Sequence, residues 1–420
     1  MPRVNRSDLL AGMIVGEAVL NHRGQLIIAA GMPIEEKHIR ALKIWGIDSV
    51  PIEQADAAGR SSDADKEDRV ANDQKRIRKC IAGRFRLDPK NPVHPAMKQI
   101  IVATVLHMER QGLPEDTPFA LKMGKNSRDG ARSTATETDP STLSVSRLIS
   151  QVKEIVSLPD IYQRLMEVID NPSSSASDVA NVISCDPGLT ARLLRIVNSA
   201  FYSFPSKIDT VSRGVTILGT KELCDLALAT SVMKMFDEAL KGLVDMTLFW
   251  QHSIGCGVFA RKLALFRHEP NAERFFVMGI LHDIGRLILL SHAPDIIRAA
   301  IVRAFQSRRA LHGIEKSMLT FTHADVAAGL LKAWNLPSSH QEAVALHHNP
   351  SKARRFKLET AVIHVADILA TAMGMGSSGN TLVPDMAPEA WQQLEIAPSA
   401  LTRITEEAEN EVQDLLRIFK

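Results

Sequence analysis

Gly279-Ile280-Leu281-His282-Asp283-Ile284-Gly285-Arg286-Leu287 sets an imidazole and a carboxylate in the middle of an apolar run. Such groups are costly to bury among Ile and Leu unless they are paired or coordinated. The spacing predicts one helix through the run, with His282 and Asp283 about 100° apart and flanking a single groove. Working outward, the same half of the chain holds His252, His323, His347, His348 and Asp367, each in or beside an apolar helical segment. His347-His348 precede Asn349-Pro350, a helix end that can point at the groove, and Asp367 interrupts the otherwise apolar stretch 359–373. Mixed His and Asp ligation suits a divalent metal such as Fe, Mn or Zn, and a carboxylate is able to bridge two ions. The competing reading is a core network of hydrogen bonds, and for any one histidine alone that is the default.

Composition frames this reading. At 420 residues, two to three domains are expected. A hydrophobic fraction of 45% with 23% charged residues is that of a globular chain, and only 5% aromatics favours helix-on-helix packing over a β-sandwich. The formal charge of +2 argues against nucleic acid or anionic membrane as a bulk partner. Cys80, Cys185, Cys224 and Cys256 are widely spaced, which reads as reduced thiols rather than a disulfide framework. No signal-peptide core opens the sequence, and the apolar stretches 9–20 and 277–290 are broken well short of about 20 residues. A cytoplasmic location with no membrane partner is the expectation.

Residues 1–53 read as a small α+β module: strand 13–20, a turn at Asn21-His22-Arg23-Gly24, strand 26–28, a helix over 34–45 and a closing strand 47–52. Residues 54–123 form a helical and linker region, with a helix over 95–111. Residues 124–142 hold no large apolar side chain and read as a flexible linker. From 143 onward helix follows helix. Asp186-Pro187 supplies an N-cap and a proline at the first helical position, followed by the buried stripe Leu189, Leu193, Ile196 and Val197.

The run Leu158-Pro159, Asp186-Pro187-Gly188-Leu189-Thr190, Leu193-Leu194-Arg195-Ile196-Val197-Asn198-Ser199-Ala200-Phe201-Tyr202 and Ile217-Leu218-Gly219 resembles the HDOD family. Phe249-Trp250-x-His252-Ser253, the 279–287 stretch, His323-Ala324-Asp325-Val326, Trp334-Asn335-Leu336-Pro337 and His347-His348 continue the likeness in order, over about 145–375. The resemblance implies a mainly all-α fold: an HDOD/HD-like helical domain over 143–375. It would consist of two sub-bundles, an HDOD-specific half 143–245 and an HD-like half 246–375, followed by a helical tail 376–420. Residues 1–53 resemble the module that precedes some HD-GYP phosphodiesterases.

In HD phosphohydrolases the same ordered set holds one or two metals. The resemblance therefore makes His252, His282, Asp283, His323, His347, His348 and Asp367 the candidate metal ligands, with Arg286 a candidate phosphate contact in place of the usual lysine. His348 is followed by Asn349-Pro350-Ser351-Lys352-Ala353-Arg354-Arg355-Phe356, so the H-H-E-x-x-D-G-x-G-Y-P run of cyclic-di-GMP phosphodiesterases is missing. HDOD domains resemble degenerate HD domains used for signal output. The expected function is accordingly a bacterial regulatory protein that works by binding other signalling proteins. The alternative is a metal-dependent phosphohydrolase acting on a nucleotide or phosphoester.

Two further features have bland readings. Segments 175–183 and 187–198 have the outline of a DNA-binding helix-turn-helix presenting Thr190, Arg192, Arg195 and Asn198, but no broad basic surface accompanies them, and a packed helical pair is expected instead. His312 and His340 read as surface loop residues.

Overall fold

The computed structural model describes residues 3–6, 9, 13–20, 26–35, 38–39, 42–43, 46–52, 84–85, 90–111, 143–155, 160–239, 246–380 and 382–419. The chain divides into two compact units, Met1–Lys75 and Arg76–Lys420. The 21–24 turn, most of the 54–123 region's linker and the 124–142 linker lie outside the described residues.

In the smaller unit, β1 (Arg3–Asn5) pairs antiparallel with β4 (Ser49–Pro51), and β2 (Val19–Leu20) with β3 (Leu26–Ile28). Alternating apolar positions turn Val15, Val19, Ile28, Val50 and Ile52 into one small core with Leu9, Ile34 and Leu42. The paired strands and the helical turns at 38–39 and 42–43 make this an α+β module.

The larger unit is helical. It opens with α1 (His94–Gln111), α2 (Val145–Ile155), α3 (Asp160–Asp170), α4 (Ala176–Ser184), α5 (Pro187–Val197), α6 (Val211–Leu218) and α7 (Thr220–Ala239). Asp186 caps α5 by accepting from the Leu189 amide at 2.9 Å, with Pro187 at its first turn. Two of the four candidate groove readers are used internally: Thr190 Oγ1 donates to Ile183 O, and Asn198 bonds both the amide and the carbonyl of Ile208. The α4–α5 pair is therefore a packed hairpin of the bundle, its loops fixed by those contacts.

The second half holds α8 (Met246–Phe266), α9 (Glu273–Leu281), α10 (Ile284–His292), α11 (Pro294–Ser307), α12 (Leu311–Leu319), α13 (His323–Ala333), α14 (Ser338–Leu346) and α15 (Lys357–Ala372). The tail adds α16 (Pro388–Leu394) and α17 (Ala400–Phe419), and α17 packs on α8 and on α1. Helix α1, from the 54–123 region, thus belongs to the larger unit. Helix α8 is buried on nearly every face, from Phe249 and Trp250 through Ala264, so it is the axis around which α9, α15 and α17 pack. Segment Glu273–His292 has the length and composition of a membrane span, yet 89% of its most apolar 18-residue stretch is buried inside the bundle.

One expectation needs correcting. His282 and Asp283 do not share a helix: α9 ends at Leu281, α10 begins at Ile284, and the pair forms the break between them. Asp283 leaves the helical region at φ −103°, ψ 7°. The apolar run 277–290 looks continuous because both short helices are core helices, which periodicity alone does not separate. Two glycines set the spacing here. A Cβ on Gly285 would stand 2.0 Å from the His323 carbonyl oxygen, and one on Gly279 would stand 2.5 Å from Gly257 Cα. Their absence lets α10 touch the start of α13, and α9 touch α8, backbone to backbone.

Candidate metal centre

The structure brings all seven sequence-selected ligands together. His252 comes from the middle of α8, His282 and Asp283 from the α9–α10 break, and His323 from the first turn of α13. His347 and His348 follow the end of α14, and Asp367 comes from the middle of α15. Their donor atoms form two groups, His252/His282/Asp367 and Asp283/His323/His347/His348, each with its members within 4.8 Å of one another. Ligands sharing one ion at about 2.0–2.2 Å lie up to about 4.4 Å apart, so both groups are close to ligation spacing.

Asp283 stands between the groups. Its Oδ2 is 3.3 Å from His282 Nε2 and 3.7 Å from His252 Nε2, while its Oδ1 is 2.9 Å from His323 Nε2 and 3.8 Å from His347 Nε2. Asp367 Oδ1 lies 3.2 Å from His252 Nε2 and 3.8 Å from His282 Nε2.

The imidazoles are held ligand-outward by the backbone. His282 Nδ1 donates to Gly279 O and His347 Nδ1 to Val344 O, both at 2.7 Å, which leaves each Nε2 facing the hollow. His364, one turn before Asp367, donates to the His347 carbonyl through Nδ1 and accepts the Ala387 amide through Nε2, tying the His347 loop to α15. Glu315 on α12 engages His323 twice, at the backbone amide (3.0 Å) and at Nδ1 (2.5 Å), so that His323 Nε2 turns inward. Sequence reading missed Glu315 and His364. His364 carried a signal, an imidazole within an otherwise apolar helix, whereas Glu315 beside Lys316 carried none.

Arg286 lies deeper than a substrate contact would. Its Nη1 donates to Ser378 O (2.7 Å) and Oγ (3.0 Å), and its Nε is 3.5 Å from Asp283 Oδ1 and 3.9 Å from Glu315 Oε1. The guanidinium is 1% exposed, so it neutralises buried carboxylates.

Burial alone would raise the Asp283 carboxyl, but Arg286, His282 and His323 outweigh it and hold the group well below the usual carboxylate range. Burial likewise opposes ionisation of Glu315, and His323 with Arg286 brings it down to about 2. Burial and neighbouring histidines push His347 down to about 3 and His348 well below the ordinary value, so both are neutral donors. On His282 burial opposes the charge, yet Asp283 and Cys256 beside it keep the proton well above the ordinary histidine range. Asp283 and Glu315 face the buried Arg286 guanidinium, while Asp367 lies against His252 and His282, so three buried carboxylates share one permanent cation.

Three carboxylates gathered among histidine nitrogens fit a divalent cation. So do the bare atoms: Nε2 of His252, His282 and His347 and both oxygens of Asp283 are buried, with no hydrogen-bond partner among the described residues. Buried polar atoms without partners are rare in native proteins and call for an ion or water.

The larger unit is thus a helical bundle with a buried His/Asp hollow at its centre. Residues 155–350 match the family model of the HDOD domain, so this part of the chain is an HDOD domain. A Shewanella amazonensis SB2B protein, provisionally named a phosphohydrolase, is 23% identical with a TM-score of 0.52, covering 65% of this chain and 98% of its own. A Marinobacter aquaeolei VT8 protein, provisionally named for signal transduction, is 20% identical with a TM-score of 0.50, covering 64% of this chain and 60% of its own. At these identities the likeness is one of fold. An uncharacterised protein of Treponema pallidum (strain Nichols) is 25% identical over 259 residues, 59% of this chain and 48% of that protein. The chain thus spans about half the length of the curated relative it matches.

Proposed function

We propose that this chain is a bacterial signalling protein whose HDOD domain holds one or two divalent metal ions and hydrolyses a phosphoester, such as a nucleotide. The observation that carries the reading is the closed hollow itself. Seven candidate ligand side chains converge there with bare donor atoms. His252, His282 and Asp367 would hold one ion, and His323, His347 and His348 a second, with Asp283 facing both. When bound, a divalent ion of the Fe, Mn or Zn type makes water nucleophilic near neutral pH and offsets charge on phosphoryl oxygens.

The chain's own groups then have defined work. Gly279 O, Val344 O and Glu315 orient the imidazoles, Arg286 keeps Asp283 ionised, and the apolar walls of α8, α10 and α15 exclude bulk water. Purified full-length protein, assayed on phosphomono- and phosphodiesters with Mn, Fe or Zn, is expected to show metal-dependent turnover that falls at least about 100-fold in Asp283→Ala. Turnover unchanged in that variant would overturn the assignment.

A second reading is a non-catalytic regulator that binds other signalling proteins and uses the ions for structure or sensing. Two observations favour it: the ligand side chains are at most 4% exposed, and the run after His348 departs from that of cyclic-di-GMP phosphodiesterases. Metal bound without turnover of any phosphoester would select it.

A further inference from the structure

Outside the metal ligands, a cavity of about 330 Å³ opens between α12, the start of α13 and the loop after α14. Its lining includes His312, Lys316, Thr322, Asp325, His348 and Lys352. His348 is the shared wall. On one side its Nε2 lies 3.1 Å from His323 Nε2 and its Nδ1 lies 4.0 Å from Asp367 Oδ2; on the other, its ring stacks on His312 at 4.3 Å between centroids and 16° between planes. The side chain is only 4% exposed although it borders the cavity, so the His312–His348 stack is a floor between the cavity and the other six candidate ligands.

The cavity is cationic at its rim. Lys316 and Lys352 are both exposed, and neither has an ion pair among the described residues. The one carboxylate in the lining, Asp325, is already committed: its Oδ2 accepts from the Thr322 amide at 2.8 Å and hydroxyl at 3.1 Å, completing the α13 capping box. Thr322, Ala324 and Asp325 bring the N-terminal, positive end of α13 to the same wall. A volume near 300 Å³ is at the small end for ligand pockets, enough for a phosphoryl group and a modest substituent.

From this arrangement we infer that the cavity is an anion-binding vestibule of the metal centre, in which Lys316 and Lys352 hold a phosphoryl group above the His312–His348 floor. The inference rests on the proposed metal-dependent reading for its purpose, but not for its test. It also gives the phosphate contact a place at the surface, since Arg286 is enclosed by Ser378, Asp283 and Glu315.

The test is calorimetric titration of inorganic phosphate, and separately of ADP, into metal-free and metal-loaded full-length protein at low salt. It compares the natural chain with the Lys316→Glu/Lys352→Glu variant. Both substitutions are on the surface, and unchanged circular dichroism and metal content check the fold. The expected result is at least tenfold weaker phosphate binding in the variant, in both forms, with binding by the natural chain weakening as salt rises. Tighter binding of ADP than of phosphate would place a nucleotide's phosphates in the vestibule, and equal binding a phosphoryl group alone. Equal phosphate affinity in natural chain and variant, or no binding to either, would overturn the vestibule while leaving the metal centre standing. Phosphate binding lost in the variant of a protein that takes up no metal would leave the vestibule standing and remove the proposed hydrolase.

Discussion

The hollow depends on a carboxylate that touches no other ligand than His323. Glu315 holds both the amide and Nδ1 of that histidine, a carboxylate–imidazole pairing that raises donor strength and fixes ring direction. Glu315→Gln is therefore expected to weaken metal binding about 10- to 100-fold, read by competition with a chelating dye, with the fold intact by circular dichroism. The seven converging side chains could be picked out in the sequence because each interrupts or follows an apolar helical pattern, in the order the family resemblance implies. Glu315 could not, because it sits in Leu311-His312-Gly313-Ile314-Glu315-Lys316, where one more charge looks like ordinary solvated helix surface. The expectation of surface loops at His312 and His340 failed for the same reason: both lie on helices, His312 stacked on His348 and His340 4% exposed.

Away from the hollow, one buried carboxyl makes its own contribution to the pH dependence of stability. Asp225 in α7 is raised to about 7, mainly by burial, with Lys221 and Asn271 only partly offsetting it. Its carboxyl is ordinary, near 3.9, in the unfolded chain, so between about pH 4 and pH 7 the folded state binds the extra proton. Stability from this group is hence full below about pH 4 and is lost as pH rises through 7. Asp225→Asn is expected to be more stable than the natural chain at pH 8, by on the order of 2 kcal/mol in urea unfolding, with the difference vanishing towards pH 4. A difference that grows on acidification would contradict this.

At the level of elements, the site depends on where helices stop. The break at His282-Asp283 lets α9 and α10 aim consecutive residues at different groups of ligands, Asp283 reaching both. A continuous helix was expected there, since the run of fourteen residues holds no proline, and Asp283, though the N-cap of α10, makes no side-chain capping bond, so tertiary packing decides the stop. Gly285 then brings α13, and with it His323, against the break. Gly285→Ala places a methyl 2.0 Å from the His323 carbonyl oxygen, and backbone cannot yield as a side chain can. The variant is expected to lose about 2–4 kcal/mol of stability in urea unfolding and to bind metal more weakly, whereas Gly313→Ala, with open space around it, should be close to neutral. Other stops were readable: Asp186-Pro187 before α5, and Thr322 with Asp325 at the start of α13, carry capping chemistry in their residue types.

For the whole molecule, the mainly helical architecture and the small α+β module followed from patterning, because helical apolar stripes and strand alternation are local signals. Which helices surround α8 is not local. The 94–111 helix and the 400–419 helix join the bundle through contacts far apart in sequence, such as that between His107 and Glu409, 302 residues apart. The functional claim is global in the same sense: ligands spread from 252 to 367 act only if the bundle closes around an ion. Elemental analysis of purified full-length protein, before and after incubation with Mn, Fe or Zn followed by gel filtration, tests that most directly. The account predicts one to two divalent ions retained per chain and fewer than half as many in Asp283→Ala. A folded natural chain that neither carries nor takes up any divalent ion would contradict it.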